Sequence, residues 1–191
     1  YKIGQGLNLT KNNWVPIELI CELKLDENQY FPFMTNEDTG FYHWNNSKYF
    51  IIKKSAIDEH QLECLNTDGY EAFDDNKTNK KQPVLIMPRG IGARHYCSYN
   101  NCNGYSASGV EVYIPEKEAN KDDVIRLWYF LNSTLCWLIR EISGRKNLGG
   151  GMLKAEAIDL KKFGIYLNFE VNEEIRNTFE SFSGLYADNA N

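Results

Sequence analysis

Apolar and polar residues alternate over several short stretches of the chain and recur at helical spacing over two longer ones. Val110-Glu111-Val112-Tyr113-Ile114-Pro115 alternates most clearly and predicts a strand. Ile17 to Leu25, alternating around Cys21-Glu22-Leu23-Lys24-Leu25, predicts another. The aromatic-dense stretch from Tyr30 to Phe50, with Gly40 and Asn45-Asn46 as turn signals, suits a hairpin running into the strand Lys48 to Lys53. Pro83-Val84-Leu85-Ile86-Met87-Pro88 reads as a short strand leading into Arg89-Gly90, and Gly164 to Phe169 as a late one. Residues 55 to 65 suit a short helix, Asn66 to Gln82 a polar loop, and Arg94 to Ser108 a long loop rich in small, polar and aromatic residues.

The main helical pattern begins after Asn120, an N-cap, with Asp122 and Asp123 suited to the first turn. Val124, Leu127, Trp128, Leu131, Leu135, Leu138, Ile139 and Ile142 form one apolar stripe, and Gly144 ends the run. Asn132-Ser133-Thr134 is the point where this helix of about residues 121–143 can kink or split. A second helical pattern at about 172–187 has Asn172 as cap, Glu173 and Glu174 in its first turn, and Ile175, Phe179, Phe182 and Tyr186 as its buried face. The expected fold is α+β: a mixed, mainly antiparallel sheet with the long helix and the C-terminal helix packed on it.

At 191 residues, with 42% hydrophobic and 14% aromatic, the chain suits one folded domain with a C-terminal helical appendage. No apolar run approaches a bilayer span, so no membrane partner is expected. Five cysteines, odd in number and scattered, suit free thiols in a reducing cytoplasm. The first residue is Tyr1, consistent with a piece of a longer polypeptide. Net charge is −5, which argues against nonspecific nucleic-acid binding through net charge. The distribution changes that picture. No acid occurs from Asn76 to Val110, where Lys77, Lys80, Lys81, Arg89 and Arg94 are present, nor from Ile142 to Ala155.

The second acid-free stretch contains Gly144-Arg145-Lys146-Asn147-Leu148-Gly149-Gly150-Gly151-Met152-Leu153-Lys154. Three successive glycines lose much backbone entropy on ordering, and expose amides to whatever lies close. A polyanion suits that surface, with Arg145, Lys146 and Lys154 supplying charge; a glycine loop after a helix end, with basic residues suiting its dipole, is the plainer reading. Other chemistry is hard to find. Gly4-Gln5-Gly6 lacks the third glycine of a dinucleotide site. Cys97-x-x-x-x-Cys102 near His95 has no second ligand pair for zinc, and Glu22-Leu23-Lys24 has no upstream aspartate to complete a nuclease metal site. No Pro-Pro pair is present to hold a flipped base, and no catalytic constellation or metal site is visible.

Leu131-Asn132-Ser133-Thr134-Leu135, the following apolar stretch, Gly144-Arg145-Lys146-x-Leu148-Gly149-Gly150-Gly151-x-Leu153-Lys154 and Asp159-Leu160-Lys161-Lys162-Phe163 together resemble a known pattern. It is that of the C-terminal target recognition domain of adenine-specific DNA methyltransferases of restriction-modification systems, the Taq-like and Eco57I-like group. Gly6 to Val15, Tyr42-His43-Trp44-Asn45-Asn46 before Tyr49 to Ile52, and Pro88-Arg89-Gly90 fall in the expected order, with Asn45 where that family has glycine and Lys11 where it has glycine after threonine. The resemblance implies a bacterial recognition half that binds double-stranded DNA, has no cofactor of its own, and positions a target adenine. The catalytic domain of the same polypeptide would bind S-adenosylmethionine and carry an Asn-Pro-Pro-Tyr motif; a fused restriction endonuclease is compatible. Arg89, Arg94, Arg145, Lys146 and Lys154 would then contact phosphates or guanine edges, and Asn100, Asn101 and Asn103 adenine edges. Gly149, Gly150 and Gly151 would approach phosphates by their amides, with Lys11, Asn12 and His95 completing the DNA-binding set.

Two other readings stand beside it: a protein-interaction domain docking through its aromatic N-terminal half, and a small hydrolase with an unrecognised site. The recognition reading predicts that translating the gene upstream of Tyr1, in frame, gives a Rossmann-like segment with Asn-Pro-Pro-Tyr. An unrelated domain there, or a start codon, would remove its main support.

Overall fold

Most of the strands pair into two sheets, and the helices lie against them. The computed structural model describes residues 2–35, 42–78, 80–91, 96–107, 110–114, 120–143, 153–154 and 168–182. The first sheet has five strands in the order β1 (Lys2–Gln5), β10 (Val110–Ile114), β6 (Leu85–Pro88), β8 (Ser98–Asn100) and β4 (His43–Trp44). All its pairs are antiparallel except β8 with β4. The second sheet runs β2 (Val15–Pro16), β5 (Tyr49–Ile52), β3 (Tyr30–Met34) and β9 (Tyr105–Ser106), parallel only at β3–β9. A separate two-stranded ribbon pairs β7 (Gly90–Ile91) with β11 (Leu153–Lys154), antiparallel.

This is the expected α+β arrangement, with antiparallel pairing dominant. The strands expected at 83–88 and 110–115 are β6 and β10, neighbours in the first sheet. The hairpin expected across Tyr30 to Phe50 exists as β3 against β5, with Tyr30 opposite Ile52. Between them β4 crosses to the other sheet, where it places Trp44 among Met34 and Ile86. The loop expected from Arg94 to Ser108 instead contributes β8 and β9, whose residues are largely buried. Of the late strand expected at Gly164 to Phe169, residues 164–167 lie outside the described residues.

The strand expected at Ile17 to Leu25 is a helix, α1 (Ile17–Glu22). Pro16 occupies the N-cap position and Glu18 the first turn, while Leu19 and Ile20, adjacent in sequence, are both buried. Leu25 N–H closes on the Ile20 carbonyl and Lys24 N–H on Cys21, with Lys24 at φ 51°, so a left-handed stop ends the helix at the stretch whose alternation suggested a strand. α2 (Glu59–Thr67) starts from Asp58, whose carboxylate accepts from Gln61 N–H.

The long helix is broken in two. α3 (Lys121–Leu131) ends at Asn132, and α4 (Thr134–Ser143) begins from Ser133. The Ser133 hydroxyl donates to Phe130 O at 2.6 Å and accepts from Cys136 N–H at 3.2 Å, so it closes one helix and caps the next. The break shifts the helical phase. Cys136 and Arg140 face inward, whereas Leu135, Leu138 and Ile142, expected in the buried stripe, are 56%, 51% and 75% exposed.

α3, α4 and α5 (Glu173–Ser181) share one core with β6 and Cys97, containing Leu85, Met87, Val124, Leu127, Trp128, Cys136 and Phe179. α1 and α2 enclose Val15, Leu19, Ile20, Phe50, Ile52 and Leu65 against the second sheet. His43 lies at the first core, 1% exposed, with its ring 5.4 Å from Tyr99, 5.7 Å from Trp128 and 4.4 Å from Phe179. Burial holds its pKa below the ordinary histidine value; the Glu180 carboxylate and the Phe179 backbone oppose this, and Lys121 adds a smaller push downward. The unfolded ring takes up a proton near pH 6.5, so this contribution to stability is complete above that pH and is lost as pH falls below it. The melting temperature is expected to drop between about pH 7.5 and about pH 5.5. His43→Phe should flatten that drop; an unchanged pH profile in that variant would contradict the assignment.

Candidate nucleic-acid interface

The two acid-free stretches, far apart in sequence, meet at the β7–β11 ribbon. Gly90 stands opposite Lys154, and Ile91 opposite Leu153. Arg89 immediately precedes β7 at the bend after β6 and is partly exposed. A narrow pair of strands with a glycine at its turn into the sheet allows close backbone approach, and β-ribbons of this kind enter nucleic-acid grooves in other folds.

The base of the ribbon is fixed by α4. Arg140, 1% exposed, donates from Nη2 to the Pro88 carbonyl at 2.6 Å. The next fixed point is Cys97, whose N–H donates to Asn132 Oδ1 at 2.7 Å and whose carbonyl accepts from Asn132 Nδ2 at 3.0 Å. Asn132 Nδ2 also reaches Trp128 O at 3.0 Å, so the carboxamide is locked to the end of α3. Burial pushes the Cys136 thiol up to about 11 and the Cys97 thiol higher still, while the Arg140 guanidinium pulls both the other way. Both sulfurs are therefore protonated, apolar packing groups and not metal-ready thiolates. Asn132 and Arg140 do not stand out as site residues in the sequence. The signal they leave there is the Asn-Ser-Thr interruption, with Arg140 one helical turn beyond Cys136.

The other expected site residues divide. Lys11 and Asn12 are exposed in a single 3-10 turn, Lys11–Asn13, that leads into β2 of the second sheet, so the ribbon does not share their element. The Asn12 carbonyl accepts from Glu71 N–H at 2.7 Å, and the Glu71 carboxylate accepts from Asn13. An acid beside this turn opposes a phosphate there. Asn100 is 4% exposed, and both ends of its carboxamide are engaged, with Pro83 O at 2.8 Å, Gly104 O at 3.0 Å and Gly104 N–H at 3.3 Å. It closes the loop through Asn103, at φ 50°, and Gly104, whose backbone lies where a Cβ would stand 2.3 Å from Pro32 O. Both of its donors are used within the loop, and burial keeps the carboxamide from the surface. Asn101 is exposed but donates to Asn45 Oδ1 at 2.6 Å. Arg94, His95, Arg145, Lys146, Gly149, Gly150 and Gly151 lie outside the described residues, as does the side chain of Lys154.

Two of the expected basic residues are engaged internally. Lys80 Nζ donates to Gln5 O and Gly6 O, each at 2.9 Å, and Lys77 pairs with Asp74 at 2.7 Å. A cleft of about 860 Å³ at α1 and α2 is lined by Glu22, Asp58, Glu63 and Asp68 with Lys24 and His60, an acidic lining unsuited to a polyanion. Among the described residues no group of three or more His, Cys, Asp or Glu could hold a metal ion. None of their helices is long and apolar enough to cross a membrane.

No protein-family model and no curated protein matches the sequence. Solved structures do match the fold. The type IIG restriction endonuclease BpuSI superposes over 97% of this chain with a TM-score of 0.62 at 12% identity. The type IIL restriction-modification enzyme MmeI, solved in complex with DNA, superposes over 95% with a TM-score of 0.54 at 14% identity. The likeness is one of fold. The chain spans 25% of the BpuSI chain and 27% of the MmeI chain, so each contains this fold as about a quarter of a longer polypeptide.

Asn100→Ala should lower stability by about 2–3 kcal/mol, because it strands buried backbone partners around Gly104 and Pro83. Chemical denaturation measures this. A variant as stable as the parent, but impaired in binding DNA, would return Asn100 to the interface.

Proposed function

We propose that the chain is a single DNA target-recognition domain. It positions a target adenine for an S-adenosylmethionine-dependent methyltransferase domain carried elsewhere in the same bacterial, cytoplasmic polypeptide. One observation carries the reading: β7 and β11 join the two acid-free stretches of an acidic chain, with Lys154 facing the residue after Arg89. Local concentration of positive groups, not net charge, decides where a polyanion lies. The fold shared with a quarter of two restriction-modification enzymes, one of them solved on DNA, supports the same assignment. In this reading Lys154 contacts a phosphate and Arg89 a phosphate or a guanine edge, while the glycines 149–151 offer backbone amides. Catalysis and cofactor binding belong to the other domain.

A second reading, protein docking without a nucleic-acid role, has its own support in the exposed Leu135, Leu138 and Ile142 on one side of α4. Salt separates the two. Phosphate contacts release counterions, so affinity falls steeply with salt; apolar docking does not weaken in this way.

With a fluorescein-labelled duplex, Lys154→Ala and Arg89→Ala should each weaken binding and flatten the log–log salt dependence by roughly 0.9 for every phosphate no longer neutralised. If Arg89 reads a guanine, its removal should also relax preference at one base pair by about 1–3 kcal/mol. Binding that is insensitive to both substitutions and to salt would favour docking.

A further inference from the structure

We infer that Arg140 is a positioning residue for the DNA-facing ribbon, its buried guanidinium holding the Pro88 carbonyl and thereby setting the course of Arg89, β7 and the paired β11. The inference rests on the recognition reading above and assigns it a residue that touches no DNA.

Arginine is seldom buried without a specific partner, since removing its charge from water costs several kcal/mol. Here it is 1% exposed in the core between α4 and the first sheet. Its contact with Pro88 O is 2.6 Å, short even for a charge-assisted bond. Pro88 is the last residue of β6 and is opposite Val110, so it marks the point where the chain leaves the sheet. Arg89 comes next and then β7. An anchor at this carbonyl fixes the direction in which both emerge. The planar guanidinium suits the task better than a lysine, because its donors keep a fixed fork while one of them holds the carbonyl.

α4 is itself held in place for this. Asn132 grips both backbone groups of Cys97, the entry to β8, and Ser133 caps the new helix. The same rigid corner therefore holds the sheet at Pro88 and at Cys97, on either side of β7. Had α3 continued unbroken, the apolar stripe would have faced inward in place of Arg140.

The test uses the polypeptide that carries this chain, with Arg140→Gln and Arg140→Lys beside the parent. Amide exchange is followed by mass spectrometry, and binding of a fluorescein-labelled random-sequence duplex by anisotropy across a salt series. Arg140→Gln should raise exchange of peptides containing Gly90–Ile91 and Leu153–Lys154 roughly ten-fold while β1 and β10 stay protected. It should also flatten the salt dependence of binding, and Lys154→Ala should cost less in that background than in the parent. Arg140→Lys, keeping charge and a donor, should recover part of both effects. A purely structural arginine predicts something else: exchange rising throughout the sheet, and a Lys154→Ala effect the same in both backgrounds. Either result overturns the proposal, as does ribbon exchange that Arg140→Gln leaves unchanged. If Arg140→Gln does not fold, as circular dichroism reports, Arg140→Lys carries the comparison by the same criteria. If Arg89→Ala and Lys154→Ala leave DNA binding untouched while ribbon exchange still answers to Arg140, the anchor is upheld; the recognition reading and the DNA role of Arg140 are both overturned.

Discussion

The carboxamide of Asn132 accepts from one backbone group of Cys97 and donates to the other, and it does so from the C-cap of α3. The helix stops at this residue. Its Nδ2 also donates to the Trp128 carbonyl one turn back, a local bond of the kind asparagine favours, and Ser133 completes the exchange by capping α4. Much follows from this interruption. It ties the helical layer to the entrance of β8, resets the phase of α4, and turns Cys136 and Arg140 toward the sheet. The first of these fixes the strand beyond the ribbon; the last fixes the strand before it.

An acidic chain brings two acid-free stretches together here by placing its charges, without changing their sum. Three acids on the helical layer are matched locally: Asp122 by Arg176, Glu180 by Lys121, and Asp123 by Arg126, which also holds the Phe169 carbonyl at 2.7 Å. Such exposed pairs add little stability, but they keep negative potential from extending across the surface. Among the cations, Lys77 and Lys80 are drawn into an ion pair and into carbonyls near β1. The ribbon is where two stretches without acids coincide.

The sheet strands are legible where alternation or proline brackets mark them, as at Val110 to Ile114 and Pro83 to Pro88, because such a pattern is set by the strand's own residues. The helix starts at Asn120 and Asn172 are legible for a similar reason, since a cap is a local bond. Ile17 to Leu25 misleads because its alternation straddles a helix and its left-handed stop at Lys24, and a positive φ at lysine leaves no trace in a hydropathy pattern. The stripe beyond Leu131 misleads for a different reason. Apolar periodicity runs across a break, and the spacing stays regular even though the helix axis does not. Asn100 has a side chain able to read adenine, and its chemistry does suit that; but the same donor and acceptor suit the backbone of Gly104 equally well, and burial decides between them.

The pairing of β7 with β11 is the feature no local pattern could supply. Each strand is two residues long, too short for periodicity, and the partners are more than sixty residues apart in sequence. The two acid-free stretches are visible separately, and each alone has a plain explanation as a connector. Their coincidence weakens that explanation, because connectors have no reason to pair, and an ordered backbone next to three glycines must be held against their entropy. A ribbon this short is too small to hold itself together by apolar burial. An anchored base can hold it, and the buried arginine at Pro88 is placed to provide one. A contact surface made this way keeps its shape before any partner arrives, and the entropy cost of ordering it is met in folding and not in binding.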